Sequence, residues 1–160
     1  MTTLTQQDID NHCAGLYISR ENLTEFVIPD GVTDIGREAF MNCTSLTSIS
    51  IPDGVTKIGI LAFHECTSLT SINIPDSVTD IKMFAFYACT SLASVTIPDG
   101  VTEIGYRAFI GCSSLTQVIC NNPDLFTRIN IENKDQIQFI STTDYFNDNY
   151  QDLLNKSLVL

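Results

Sequence analysis

Apolar and polar positions recur along the chain with a fixed beat of 23 residues. Four segments align without a gap: IPDGVTDIGREAFMNCTSLTSIS (28–50), IPDGVTKIGILAFHECTSLTSIN (51–73), IPDSVTDIKMFAFYACTSLASVT (74–96) and IPDGVTEIGYRAFIGCSSLTQVI (97–119). Upstream, NLTEFVIPDGV (22–32) matches the end of one more unit. A constant period of this length is the signature of a solenoid.

The order of residues inside a unit predicts how each coil is made. Leu46, Ile49 and Ile51 are spaced around polar Ser48 and Ser50, as in a half-buried strand. Pro52-Asp53-Gly54 is turn chemistry. Val55 and Ile58-Gly59 predict a short extended return, and Ala62, Phe63 and Cys66 fall on one face of a helical turn. In the first unit the inward groups are Ile28, Val32, Ile35, Ala39, Phe40, Cys43, Leu46 and Ile49. Burying each stabilises by ~2 kcal/mol, whereas ordering each residue costs ~1.5 kcal/mol. A lone unit therefore cannot fold. The units must stack, with strands ~4.8 Å apart in a parallel sheet.

The recurring IPDGVTxIGxxAFxxCTSLTSI resembles the BspA-like (Treponema-type) leucine-rich repeat, over residues 22–119. The resemblance implies a curved solenoid with a parallel sheet on the concave side and short helices or strands opposite. It also implies adhesion or protein binding. The expected fold is an α/β leucine-rich-repeat solenoid, a short curved stack of 23-residue repeats capped at both ends. Residues 1–27 form an N-terminal cap with a partial repeat, 28–119 the four repeats, and 120–160 a C-terminal cap.

The ends carry their own patterns. Thr5-x-x-Asp8 marks a helix start, with Ile9, Cys13 and Leu16 following at helical spacing. Downstream, Asn121-Asn122-Pro123-Asp124 is a turn and Gln136–Ile140 a strand. Phe146, Tyr150, Leu153, Leu154 and Leu158 share one face of an amphipathic helix, either covering the last coil or docking on a partner.

Charge narrows the partners. The formal net charge is −11, with acids spread along the chain and no basic stretch. That excludes the electrostatic footprint of a nucleic-acid or anionic-membrane binder and favours neutral or basic partners. The first residues have neither a basic nor an apolar leader segment, and no apolar run approaches the ~18 residues of a membrane span. The expectation is a protein of the cytoplasm, or one translocated into a host cell without a cleavable signal.

Candidate chemistry is sparse. Cys43, Cys66, Cys89 and Cys112 repeat in one inward apolar slot and read as buried free thiols, while Cys13 and Cys120 lie outside that ladder and are expected to be more exposed. Asp30, Asp53, Asp76 and Asp99 form a second ladder, read as turn caps rather than calcium ligands. His64 occupies a variable outward slot, and His12 beside Cys13 makes no catalytic pair. No catalytic motif or metal-spaced cluster stands out, so the expected protein is not an enzyme and needs no cofactor.

What remains is surface. The concave strands should show Ser48, Ser50, Ser71, Asn73, Ser94, Thr96 and Gln117, a polar face with few anchors. The opposite side offers Ile60, Leu61, Met83, Phe84, Tyr87, Tyr106 and Ile110. These read either as an exposed apolar stripe centred on Phe84 and Tyr87 or as packing between coils. The expected function is a protein-protein interaction module. Leu158, third from the end behind a polar, acidic run, resembles the C-terminal signal of type IV secretion substrates, which implies a bacterial effector. The alternative is a surface adhesin or structural repeat protein. Homodimerisation through the stripe or an end coil stays open.

Overall fold

The computed structural model describes residues 2–122, 125 and 138–141. Each unit closes one coil, and each coil has three sides. The first side carries strands β2 (Glu25–Val27), β4 (Ser48–Ser50), β6 (Ser71–Ile72), β8 (Ser94–Thr96), β10 (Gln117–Ile119) and β11 (Gln138–Ile140). They pair parallel and in register, Glu25 beside Ser48, and Ser71 beside Ser94, Gln117 and Gln138. The ladder breaks between β4 and β6, leaving a two-stranded and a four-stranded sheet.

The extended return forms a second sheet of its own. Strands β3 (Val32–Ile35), β5 (Lys57–Ile58), β7 (Asp80–Ile81) and β9 (Glu103–Ile104) run parallel, and β1 (Thr2–Leu4) adds ahead of β3. Coils approach most closely just past these strands. A Cβ on Gly59 would lie 2.6 Å from the Ile35 carbonyl oxygen, which is why small residues recur at that slot. The third coil has Lys82 there, whose Nζ reaches Asp80 and Glu103, both at 2.7 Å. The bond from Lys82 holds the Asp80 carboxyl below its ordinary range.

The third side departs from the expected helical turn. It is a run of tight turns with left-handed backbone at Glu38 and Asn42, Leu61 and Glu65, Phe84 and Ala88, and Arg107 and Gly111. Alternate amides close turns within the coil, as Cys66 N–H does on the Phe63 carbonyl. The others reach the next coil: Leu61, Phe63 and Glu65 donate to the carbonyls of Met83, Ala85 and Tyr87 at 3.2, 2.8 and 2.8 Å. A helix would spend all these donors inside the coil. The left-handed residues turn every second one outward, so this side becomes a third inter-coil ladder. An α-helix, α1 (Gln6–Gly15), lies in the N-terminal cap.

The three sides enclose one core. The inward groups expected from the first unit are buried, except Ile49, which packs against the core half-buried. Phe40, Phe63, Phe86 and Phe109 form a column with ring centroids 5.2, 5.2 and 5.1 Å apart and nearly parallel planes.

The N-terminal end is plugged. α1 begins with the expected capping box between Thr5 and Asp8 and buries Ile9 and Cys13, while Leu16 is exposed at its C-terminal end. Arg20, on a 3-10 turn at Arg20–Asn22, reaches over the first coil, with its Nη1 donating to the carbonyls of Ala39 and Met41 at 3.1 and 2.9 Å. At the other end, the expected strand is found as Gln138–Ile140. Gln136, Ile137, Pro123, Asp124 and the helix face from Phe146 to Leu158 lie outside the described residues.

Candidate functional site

The candidate stripe is built by the turn side. Side chains one period apart stand above one another, which makes three columns: Ile60, Met83 and Tyr106; Leu61, Phe84 and Arg107; and Met41, His64, Tyr87 and Ile110. Leu61 and Phe84 sit at left-handed positions, with φ of 58° each. A bulky residue there costs roughly 1–2 kcal/mol. The strain is imposed by the fold, because Glu38 and Arg107 occupy the same slot with φ of 58° and 55°. The turn ladder fixes the backbone and leaves these side chains on the surface.

Both readings of the stripe are met in part. Ile60, Leu61, Phe84, Tyr87 and Ile110 are half-buried by their coil neighbours, while Met83 and Tyr106 are 38% and 57% exposed. The aromatic members form one connected group. Phe84 meets Tyr87 edge to face at 5.7 Å and Tyr106 at 6.1 Å. His64 stacks on Tyr87 at 4.9 Å, and the Arg107 guanidinium lies 4.9 Å from the Tyr106 ring centre. Such edge and stacked contacts hold rings in place, so the patch is preorganised. His64 and Arg107 belong to the same set of variable slots, one period from Tyr87 and Phe84.

The strand face is as polar as expected. Ser48, Ser50, Ser71 and Asn73 are exposed, and Ser94, Thr96 and Gln117 are half-buried. It offers no aromatic anchor, and toward its C-terminal end Ile119 is buried rather than displayed.

The thiol ladder is internal, and all six cysteines are free. Cys66, Cys89 and Cys112 donate through Sγ to the carbonyls of Phe40, Phe63 and Phe86 at 3.3, 3.1 and 3.1 Å. Cys13 and Cys120 are buried as well, at 3% and 1% exposure, which corrects the expectation that they would be open. They tuck into the cap and the last described coil. Burial pushes the Cys43 thiol up to about 12 and raises Cys13, Cys66 and Cys120. Cys89 is raised by the neighbouring Cys112 thiol and by burial. The thiolate is the reactive form. Native protein at pH 8 is therefore expected to take up iodoacetamide at least ~100-fold more slowly than unfolded protein, counted by mass spectrometry. Rapid labelling of Cys13 or Cys120 alone would show that an end opens.

Asp30, Asp53, Asp76 and Asp99 are exposed, and Asp99 accepts from Asn121 Nδ2 at 3.2 Å. None of the four accepts the expected hydrogen bond from its own turn among the described residues, which corrects their reading as turn caps. Nor do those residues gather three metal-ligating side chains. No helix among them is long and apolar enough to cross a membrane.

The sequence matches the family described as BspA type Leucine rich repeat region in six copies over residues 14–134, extending past the four full units at both ends. No curated protein matches it. Among solved structures, the chain is 40% identical to the Leucine Rich Repeat protein TpLRR of T. pallidum, over 62% of this chain and 46% of that one, with a TM-score of 0.61. A leucine-rich repeat protein from Bacteroides ovatus is 33% identical over 76% of this chain and 30% of its own, with a TM-score of 0.67. A leucine rich cell surface protein from Faecalibacterium prausnitzii is 36% identical over 91% of this chain and 40% of its own, with a TM-score of 0.63. The chain spans less than half of each of these proteins.

Proposed function

Since the chain belongs to the BspA-type leucine-rich repeat family, we propose that it is a non-enzymatic module that binds another protein through the turn side of its coils. Leucine-rich repeat scaffolds are typical of protein-interaction and surface repeat proteins, and the fold is generally non-enzymatic. The observation that supports this side is the connected aromatic group around Phe84 and Tyr87, bordered by exposed Met83 and Tyr106. Aromatic residues held rigid at a surface carry binding energy out of proportion to their number. The strand face, with serine and threonine, offers little of that kind.

The double substitution Phe84→Ser and Tyr87→Ser tests the reading. Binding of a partner captured from host or cytosolic extract should weaken at least tenfold, since hot-spot residues contribute roughly 2 kcal/mol or more each. Circular dichroism should stay that of the wild type, because the two rings lie outside the buried column. Unfolding of the variant would instead make them core residues, and undiminished capture would move the site elsewhere.

A second reading, a surface repeat protein, is favoured by the 36% identity to the Faecalibacterium prausnitzii cell surface protein over 91% of this chain. Protease shaving of intact cells should then remove the repeats. Delivery into a host cell as an effector is a further proposal, resting on the polar, acidic run around Leu158. Deleting residues 141–160 should abolish translocation in a reporter assay, and undiminished delivery would exclude the tail.

A further inference from the structure

The first coil is closed on two of its three sides and open on the third. Strand β1 lies ahead of β3, and Arg20 covers the turn side. Ahead of β2 the sheet simply stops. Ser48 N–H donates to the Thr24 carbonyl at 3.4 Å, and Ile28 N–H to the Ser50 carbonyl at 3.1 Å. Thr24, Phe26 and Ile28 therefore direct their backbone groups at β4. Along an extended strand alternate residues face opposite ways, so Glu25 and Val27 direct N–H and C=O away from the sheet. Among the described residues, nothing meets them.

The surroundings of this edge are apolar. Five large hydrophobic residues are exposed among those described, and two are here, Leu16 at 54% and Val27 at 74%, with Tyr17 at 98% following Leu16 in the chain. A groove of about 500 Å³ runs between α1 and β2, lined by His12, Leu16, Glu25, Phe26, Val27 and Pro29. Its charge is acidic. Glu25 lines it, Glu21 and Asp30 are exposed on the same stretch of chain, and beside His12 the one base of this stretch, Arg20, is held by Asp10 at 2.7 Å. A bare, flat, apolar edge is what sheet proteins ordinarily cover or charge with lysine.

We propose that this edge accepts an extended segment of a partner protein, with basic side chains alternating with apolar ones, as an added strand ahead of β2. Glu25 and Val27 supply the backbone bonds. One apolar side chain enters the groove between His12, Leu16 and Phe26, and the basic side chains on the other face meet Glu25. This is strand addition, in which main-chain bonds give affinity and a side-chain groove gives selectivity. A second copy of the chain fits less well, because it would join two bodies of net charge −11.

The test uses the full chain and a fluorescein-labelled peptide of alternating lysine and valine, read by anisotropy. Val27→Pro removes one outward N–H and no ladder bond, a substitution edge strands accept. The expected result is saturable binding that weakens about tenfold or more in Val27→Pro, for a glutamate-valine peptide and for a peptide N-methylated on alternate amides. Binding should persist in the Phe84→Ser, Tyr87→Ser variant. The N-methylated peptide on wild-type protein decides the matter if Val27→Pro fails to fold. No binding, equal binding by the acidic or methylated peptide, or binding unchanged by Val27→Pro in folded protein would overturn the proposal. So would a wild-type dimer in sedimentation that Val27→Pro turns into a monomer, because the edge would then serve a second copy.

Discussion

Replacing Phe63 by alanine is expected to lower the free energy of unfolding by about 3–5 kcal/mol. The ring is fully buried and lies between Phe40 and Phe86, with centroids 5.2 Å away on either side and planes tilted by 4° and 5°. Truncation strips a ring face from both neighbours and leaves a cavity that the coils cannot close. Their separation is set by hydrogen bonds on the return and turn sides, and on the strand side between β6 and β8, among them Phe63 N–H to the Ala85 carbonyl at 2.8 Å. Domains of this kind are stable by roughly 5–15 kcal/mol, so the loss is a large share of the total. It also divides the stack into shorter pieces, which a nearest-neighbour solenoid cannot sustain. Denaturant unfolding followed by circular dichroism measures it. Leucine at 63 should lose much less, and alanine at 109 less than at 63, since among the described residues Phe109 has a ring neighbour on one side only. A loss below ~1 kcal/mol for Phe63→Ala would mean that the coils collapse around the gap.

Arg20→Met should lower stability by about 2–4 kcal/mol and loosen the N-terminal end first. One guanidinium performs the work of backbone amides from a coil that is not there. In the second coil the carbonyls of Ala62 and His64 are met by Phe40 N–H and Asn42 N–H at 2.8 and 2.9 Å. In the first coil the equivalent carbonyls, Ala39 and Met41, are met by Arg20 Nη1. The same side chain binds Asp10 Oδ1 through Nη2 and Nε at 2.7 and 3.1 Å, and the Gln6 carbonyl at 3.2 Å, tying α1 to the coil. Asp10 is half exposed and rehydrates on release, so the carbonyl bonds carry most of the effect. Arg20→Lys keeps the charge but not the planar fork, and should recover under half of the loss. Hydrogen exchange checks where the loss falls: protection should drop in α1 and around residues 38–43 before it drops in later coils. A uniform loss of protection would show that the cap has no local role.

The coil was legible in the sequence because its residues repeat. Identical slots at Ile28, Ile51, Ile74 and Ile97 can be satisfied together only by stacking, and the buried column follows from Phe40 and its counterparts. The turn side was harder to read. Ala62, Phe63 and Cys66 have a spacing that a helix and a pair of tight turns share. The distinguishing feature is left-handed backbone, and of the eight residues in those slots only Asn42 and Gly111 are types that favour it. In the plug, the start of α1 at Thr5 and Asp8 was legible, and the rest was hidden for the opposite reason. Arg20 occurs once, with no partner in period, and β1 is only three residues long. On the surface, sequence assigned the stripe to the variable slots of the turn side but could not divide it into exposed and half-buried members. Met83 and Tyr106 stand out while Phe84 and Tyr87 sink between coils, and that depends on how neighbouring rings tilt.

The turn side has a mechanical consequence. Because its amides join each coil to the next as the return-strand sheet does, the interfaces carry three parallel rows of bonds, or two where the first-side ladder breaks between β4 and β6. Load applied to the two ends of the molecule would shear few of them at once. It would instead unwind the outermost coil, then the one beneath it, so the chain should lengthen in equal increments, each the contour of a single 23-residue turn.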